Sequence, residues 1–302
     1  MVSSGWLFLA AMIAAYGVAN LLQSVAAART TVHHTLDPGL LLRLAGHRTY
    51  LVGLGCQLLG FVLAFLARRD LPLFLVQASV AAGLGVTAVL GVLVLKWRLP
   101  AAEIALLVLL FLGIGALVVS AQPAPSRQLG TAGLVALAAT LVVIATASFW
   151  TVRLHGAVGS VALGSLAGLG FSAAAVAARP LASVGSADEF VTSPLLYLLI
   201  AHSVVGQLLL GLAMQRGSTT AAVAAMDAAG AVPAAVVGLL LLGDRITPGL
   251  EWLAGAGFLI TLAAVLGLTR YAAPQHHHVV APTDTRSART TRSGLAVRTP
   301  SR

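Results

Sequence analysis

Three observations predict an all-α polytopic membrane protein of about nine transmembrane helices. Of the 302 residues, 59% are hydrophobic and only 9% are charged, with a mean hydropathy of +0.96 that no soluble globular domain carries. The apolar residues form continuous runs of about 20, the length that crosses a hydrocarbon core as a helix, whereas a membrane barrel needs alternating segments of about 10. The charges gather between these runs and in a C-terminal tail, where six arginines lie at or beyond Arg270.

In chain order the predicted spans are residues 5–28, 49–67, 71–95, 101–121, 130–150, 156–178, 193–214, 219–243 and 250–269. The first run has no basic segment before it and is longer than the core of a signal peptide, so it reads as a retained span despite Ala26, Ala27 and Ala28 near its end. Residues 36–47 are too short and too polar to cross. They read as an interfacial helix with Leu40, Leu41 and Leu44 on one face. Cys56, the single cysteine, lies inside the second span, which excludes a disulfide framework and a thiol metal site. Residues 271–302 are rich in Pro, Ser, Thr and Arg and read as a disordered basic tail, in which His276, His277 and His278 are an incidental run and not a metal site.

The formal net charge is +9. Because the cationic residues flank spans, they point to lipid headgroups and to topology and not to nucleic acid. The loops after the odd-numbered spans carry Arg29, Arg43, Arg48, Lys96, Arg98, Arg153 and Arg216 and share their side with the tail; the opposite side carries Arg68, Arg69, Arg127, Arg179 and Arg245. The positive-inside rule therefore puts the tail in the cytoplasm and the N-terminus outside a cell membrane.

The two halves of the chain resemble one another. The third span and its exit read G-V-L-V-L-K-W-R over 91–98, and the eighth reads G-L-L-L-L-G-D-R over 238–245, so that Gly91 matches Gly238 and Arg98 matches Arg245. One span earlier, Gln57-Leu-Leu matches Gln207-Leu-Leu. This divides the chain into a first transmembrane repeat (1–129), a connecting span (130–150), a second repeat (151–270) and the tail (271–302). Four spans, one connector and four spans invert the second copy relative to the first, the construction of many secondary transporters.

The second copy also resembles the drug/metabolite transporter superfamily. The residues that carry the resemblance are Met226-Asp227, Pro233 and G-L-L-L-L-G-D-R-I-T over 238–247, with Gln207, Ala213 and Gly217 in the preceding span. Most of residues 5–270 is covered. A nine-span count is more similar to the magnesium-transporter-like branch than to the ten-span form, and the first copy has Lys96-Trp97 where the second has Gly243-Asp244. The resemblance implies ion- or proton-coupled movement of small molecules by alternating access, with no cofactor.

Asp227 is the first candidate residue. At 1.5 Å per residue it lies about 12 Å along its helix, where a carboxylate costs a few kcal/mol unless it faces a polar interior, is paired or is protonated. It would carry a proton or pair a cationic substrate. Pro233 removes a backbone hydrogen bond and, with Gly230, is expected to loosen the helix beside the acid. Gln57, Gln207, His202 and Ser203 put polar groups inside the second and seventh spans; Ser203 and Gln207 share a face, and His202 points elsewhere. Tyr16, Asn20 and Gln23 form one polar stripe in the first span, suited to lining a cavity. Ser160, Gly164, Gly168 and Ser172 form a small-residue ladder for close helix contact, within the bundle or at the seam of a homodimer. Asp244 and Arg245 are expected at a water-facing exit.

The chain has no P-loop, no G-x-S-x-G and no H-E-x-x-H, so no enzyme signature stands out. The sequence therefore predicts a secondary transporter of a small polar or cationic solute, coupled through Asp227. A divalent-cation carrier of the magnesium type is the alternative within transport; a non-transporting scaffold or accessory subunit is the alternative outside it. A scaffold predicts a dry core in which Asp227 is fully paired.

Overall fold

The computed structural model describes residues 4–28, 48–96, 99–216 and 219–269. Residues 36–47, expected at the interface, the tail with its three histidines, Arg98, Gly217 and the side chain of Gln23 lie outside the described residues. Among the described residues eleven helices follow in chain order: α1 Ser4–Ala28, α2 Arg48–Ala67, α3 Leu73–Val80, α4 Ala82–Leu95, α5 Ala101–Ser120, α6 Thr131–Thr151, α7 Gly156–Leu181, α8 Ala187–Thr192, α9 Pro194–Arg216, α10 Thr219–Leu240 and α11 Glu251–Thr269. Two short strands, β1 Ala121–Gln122 and β2 Arg245–Ile246, pair antiparallel.

Among the described residues seven segments are long and apolar enough to cross a membrane: Ser4–Leu22, Leu73–Val94, Ala101–Ser120, Thr131–Thr151, Gly156–Leu181, Pro194–Met214 and Glu251–Leu268. Leu51–Ala67 and Ala225–Leu240 are shorter apolar helices. The outward faces are what a hydrocarbon solvent selects: Val135, Val142, Val143 and Phe149 of α6 and Leu58, Leu59 and Val62 of α2 are all more than half exposed. At the end of α6, Arg153 stacks 5.2 Å from the ring of Trp150, an aromatic and cationic pair of the kind that anchors a helix at the headgroups.

Starts and stops follow local chemistry. Pro72 and Pro100 stand just before α3 and α5, where a missing N–H costs nothing. Ser186 caps α8 by accepting Glu189 N–H at 3.2 Å. At the exit of α10, Gly243 takes φ +77°, and Asp244 N–H returns to Gly238 O at 3.0 Å, closing the helix with a left-handed turn. Lys96, at the matched exit of α4, is the one non-glycine described residue with positive φ (+57°), and its N–H returns to Gly91 O.

α1 packs along α2 and α4; α7 packs along α9 and α10; α5 and α11 pack against each other, α3 rests on α10, and α6 lies along α7 and α9. Close approach depends on residues without side chains. A Cβ on Gly164 would stand 2.5 Å from Ala222 O, and one on Gly168 would overlap Met226 O, so the small-residue ladder of α7 seats α10 within the bundle. On the α10 side, a Cβ on Gly230 would lie 2.8 Å from Gly168 O.

One expectation needs correction. The helix break expected at Pro233 is absent: α10 runs helical through it, with Gly230 close against Gly168 of α7. The interruption falls instead in the third span, at Ala81 between α3 and α4, where Ala81 N–H turns to Ala78 O (3.2 Å), three residues back, in place of the carbonyl of Gln77.

Candidate functional site

Asp227, half-buried on α10, lines a narrow interior cavity. The α3–α4 junction contributes Gln77, Ala78 and Ala81, α10 adds Ala231 one turn from Asp227, and α11 contributes Phe258 and Thr261. The space that takes a water-sized sphere is about 30 Å³, enough for one or two small polar species. Among the described residues the Asp227 carboxyl makes no hydrogen bond and no ion pair. The Gln77 side-chain oxygen is buried and has no partner. Thr261 donates its hydroxyl to Gly257 O at 2.8 Å, which leaves its oxygen lone pairs for the cavity. The lining is thus rich in acceptors. A carboxyl placed this way can hold a proton or a small cation.

The other sequence-predicted residues stand apart from this cavity. His202 is fully buried on α9; its Nδ1 faces Leu198 O at 2.8 Å and its Nε2 has no partner, so the proton sits on Nδ1. Ser203 beside it has a buried, unpartnered hydroxyl. Gln207 is exposed on the outer face of α9. Tyr16 lays its ring against Gly60 and its Cβ against Gly83, while Asn20 and Gln57 are half-buried on α1 and α2. None of these lines the Asp227 cavity.

Sequence reasoning missed a second polar centre at one end of the bundle. Arg179, in the last turn of α7, binds one Asp244 oxygen through Nε (3.1 Å) and Nη2 (2.9 Å). Nη2 also donates to Ala124 O at 2.9 Å, and Nη1 donates to Arg68 O. The second Asp244 oxygen accepts Leu73 N–H at 2.5 Å, so one carboxylate caps the start of α3 as well as pairing the arginine. Both side chains are 0% exposed, which corrects the water-facing position expected for Asp244. The physical reason lies in the motif. Gly243 turns the chain back, and Gly238 leaves the space that the Asp244 carboxylate fills, since a Cβ there would overlap it.

Arg68, 5% exposed, closes the same end, and its Nε has no partner. Burial above all pushes its guanidinium down to about 10, with Tyr16 opposing and Arg179 adding to the shift, so it stays charged at neutral pH. Around these charges, Thr247 N–H bonds Ser120 O at 2.8 Å, Arg127 N–H bonds Leu242 O at 2.9 Å, and β1 pairs with β2. This end is sealed by hydrogen bonds from both halves. The signal for it in the sequence was Arg179 itself, an arginine preceding Pro180 inside an alanine-rich helix end.

Apolar helices of this length, wrapped around an acceptor-lined interior cavity, define an all-α polytopic membrane protein. Comparison with protein-family models, with curated proteins and with solved structures found no match.

Proposed function

We propose that the chain is a secondary transporter that moves a small polar or cationic solute by alternating access, with Asp227 as its coupling group. The observation that carries this reading is the unpartnered Asp227 carboxyl in an interior cavity between α10, α11 and the interrupted third span. A carboxyl kept in such a place without a partner costs stability, and functional loading by a proton or cation is the physical reason to keep it. A scaffold would pair it.

Nine crossings in an inverted repeat form part of the same proposal, and helix pairing supports them. α1 with α2 and α4 corresponds to α7 with α9 and α10, while α5 meets α11 and α3 meets α10 across the halves. Gly83 and Gly230, Gly91 and Gly238, and Lys96 and Gly243 are each 147 residues apart. Gly83 approaches α1 at Tyr16 as Gly230 approaches α7 at Gly168, and the third pair shares a left-handed exit. α1 begins beside Asp70, at the sealed end where α7 finishes, so the copies run in opposite directions. The superfamily resemblance belongs to this proposal, as does a cytoplasmic tail, which puts the sealed end outside.

Within transport, a magnesium carrier is the weaker reading. Mg²⁺ keeps several waters and near-octahedral oxygen ligation, and the described residues contain no group of three His, Cys, Asp or Glu that could hold a metal. The test is uptake or efflux of candidate solutes in proteoliposomes under an imposed pH or cation gradient, comparing wild type with Asp227→Asn. Gradient-dependent flux lost in the variant supports the reading; no flux for any solute class, or full activity in the variant, overturns it.

A further inference from the structure

The cavity around Asp227 has a chemical bias that names its occupant. Among the described residues three polar side chains line it: Asp227, whose carboxyl has no partner, Gln77, whose oxygen is buried without a partner, and Thr261, whose hydroxyl proton is spent on Gly257 O. Among the described residues no lysine, arginine or histidine lines the cavity to balance the acid. The third span breaks its hydrogen-bond ladder at the same place, turning Ala81 N–H away from the Gln77 carbonyl.

Size decides among cations. About 30 Å³ is far below the ~300 Å³ that a drug-sized ligand needs, and it suits a single small ion better than a magnesium ion with its retained waters. A single carboxylate supplies one negative charge, which matches a monovalent ion. We propose that Asp227, Gln77 and Thr261 form a binding site for a dehydrated alkali-metal cation of the sodium class, which is the coupling ion. This deepens the transport reading and rests on it for the ion's role, but the binding step stands without it.

Binding is read on the purified full-length protein in detergent. Thermal midpoints are compared in sodium, potassium and choline chloride at constant ionic strength and at two pH values. At a hundredfold excess over Kd, a site specific to the folded state raises the midpoint by about 5 °C. Sodium is expected to do so over choline in wild type, with the dose dependence shifted at least about tenfold by Gln77→Leu and by Thr261→Val, because each removes one oxygen from a charged ligand. Gln77→Glu, which keeps the oxygen and adds charge, is expected to bind divalent ions that wild type ignores. Midpoints in choline show whether each variant folds, and the two uncharged-residue variants carry the test if Asp227→Asn does not. Equal midpoints in sodium, potassium and choline overturn the proposal. So does a sodium effect unchanged in Gln77→Leu, or stabilisation that follows pH alone. Sodium binding without flux of any solute overturns the transport reading and leaves the site standing; flux driven by pH and indifferent to sodium overturns the site alone.

Discussion

Arg179 and Asp244, 65 residues apart in the chain, meet as a fully buried ion pair at 2.9 Å and join the end of α7 to the exit of α10. The same carboxylate holds Leu73 N–H, so it ties the second half of the chain to the first. Breaking a buried pair strands the remaining charge, at about 3–5 kcal/mol. Arg179→Met and Asp244→Leu are each expected to lower stability by that order, and the double variant Arg179→Met with Asp244→Leu to recover a large part of it. Denaturant or thermal unfolding of the four proteins in one detergent decides this; strict additivity would show that the two residues act independently.

Two glycines of opposite setting test the packing argument. Gly238 is the space into which the Asp244 carboxylate folds, and Leu73 Cβ would stand 3.1 Å from any Cβ placed there. Gly255, on α11, would meet nothing within 4 Å. Gly238→Ala is therefore expected to destabilise by about 1–3 kcal/mol through overpacking, whereas Gly255→Ala is expected to stabilise by up to about 1 kcal/mol through helix propensity. Unfolding midpoints of the two variants should move in opposite directions.

What sequence revealed and what it hid divide along the kind of force involved. Hydropathy is a one-dimensional property, so the spans were legible, and α1, α2, α5, α6 and α11 fall within a few residues of expectation. Asp227 was legible for the same reason, since one acid in an apolar run is conspicuous. Tertiary pairing was not. Arg179 was counted as a topological charge because its partner lies at the exit of another helix, and Asp244 was assigned to water because a charge beside a glycine at a helix end usually faces it. Gln77 went unnoticed: a lone glutamine gives no signal until the backbone turns at Ala81 and a cavity opens beside it. Pro233 misled in the other direction, since its helix runs on through it.

Under the proposed function, Asp227 sets stability against transport. Its carboxyl has no partner among the described residues, so the bundle gains nothing from it. Asp227→Leu is expected to raise unfolding stability by about 0.5–2 kcal/mol while abolishing gradient-driven flux, the trade usual at functional sites. A large loss of stability in that variant would instead mark the acid as a structural hydrogen-bonding group. Flux and thermal midpoint must be measured on the same preparation.

Sealing by β1 and β2 makes the last prediction. Gln122 and Arg245 are directly paired across the two-residue ladder and both are exposed, while the protein's own thiol, Cys56, is remote in sequence on α2. Paired antiparallel residues stand about 4.5–5.5 Å apart between Cα atoms, within the range of a disulfide. If alternating access opens this end, a bridge between Gln122→Cys and Arg245→Cys, in a Cys56→Ser background, must hold it shut. Oxidation is expected to stop flux and reductant to restore it, with either single cysteine variant unaffected by both. The bridge should also leave sodium stabilisation of the resting protein unchanged, because the Asp227 cavity is already formed with this end closed. Flux that continues at the wild-type rate with the bridge fully formed would show that the solute path does not run through the Arg179–Asp244 seal.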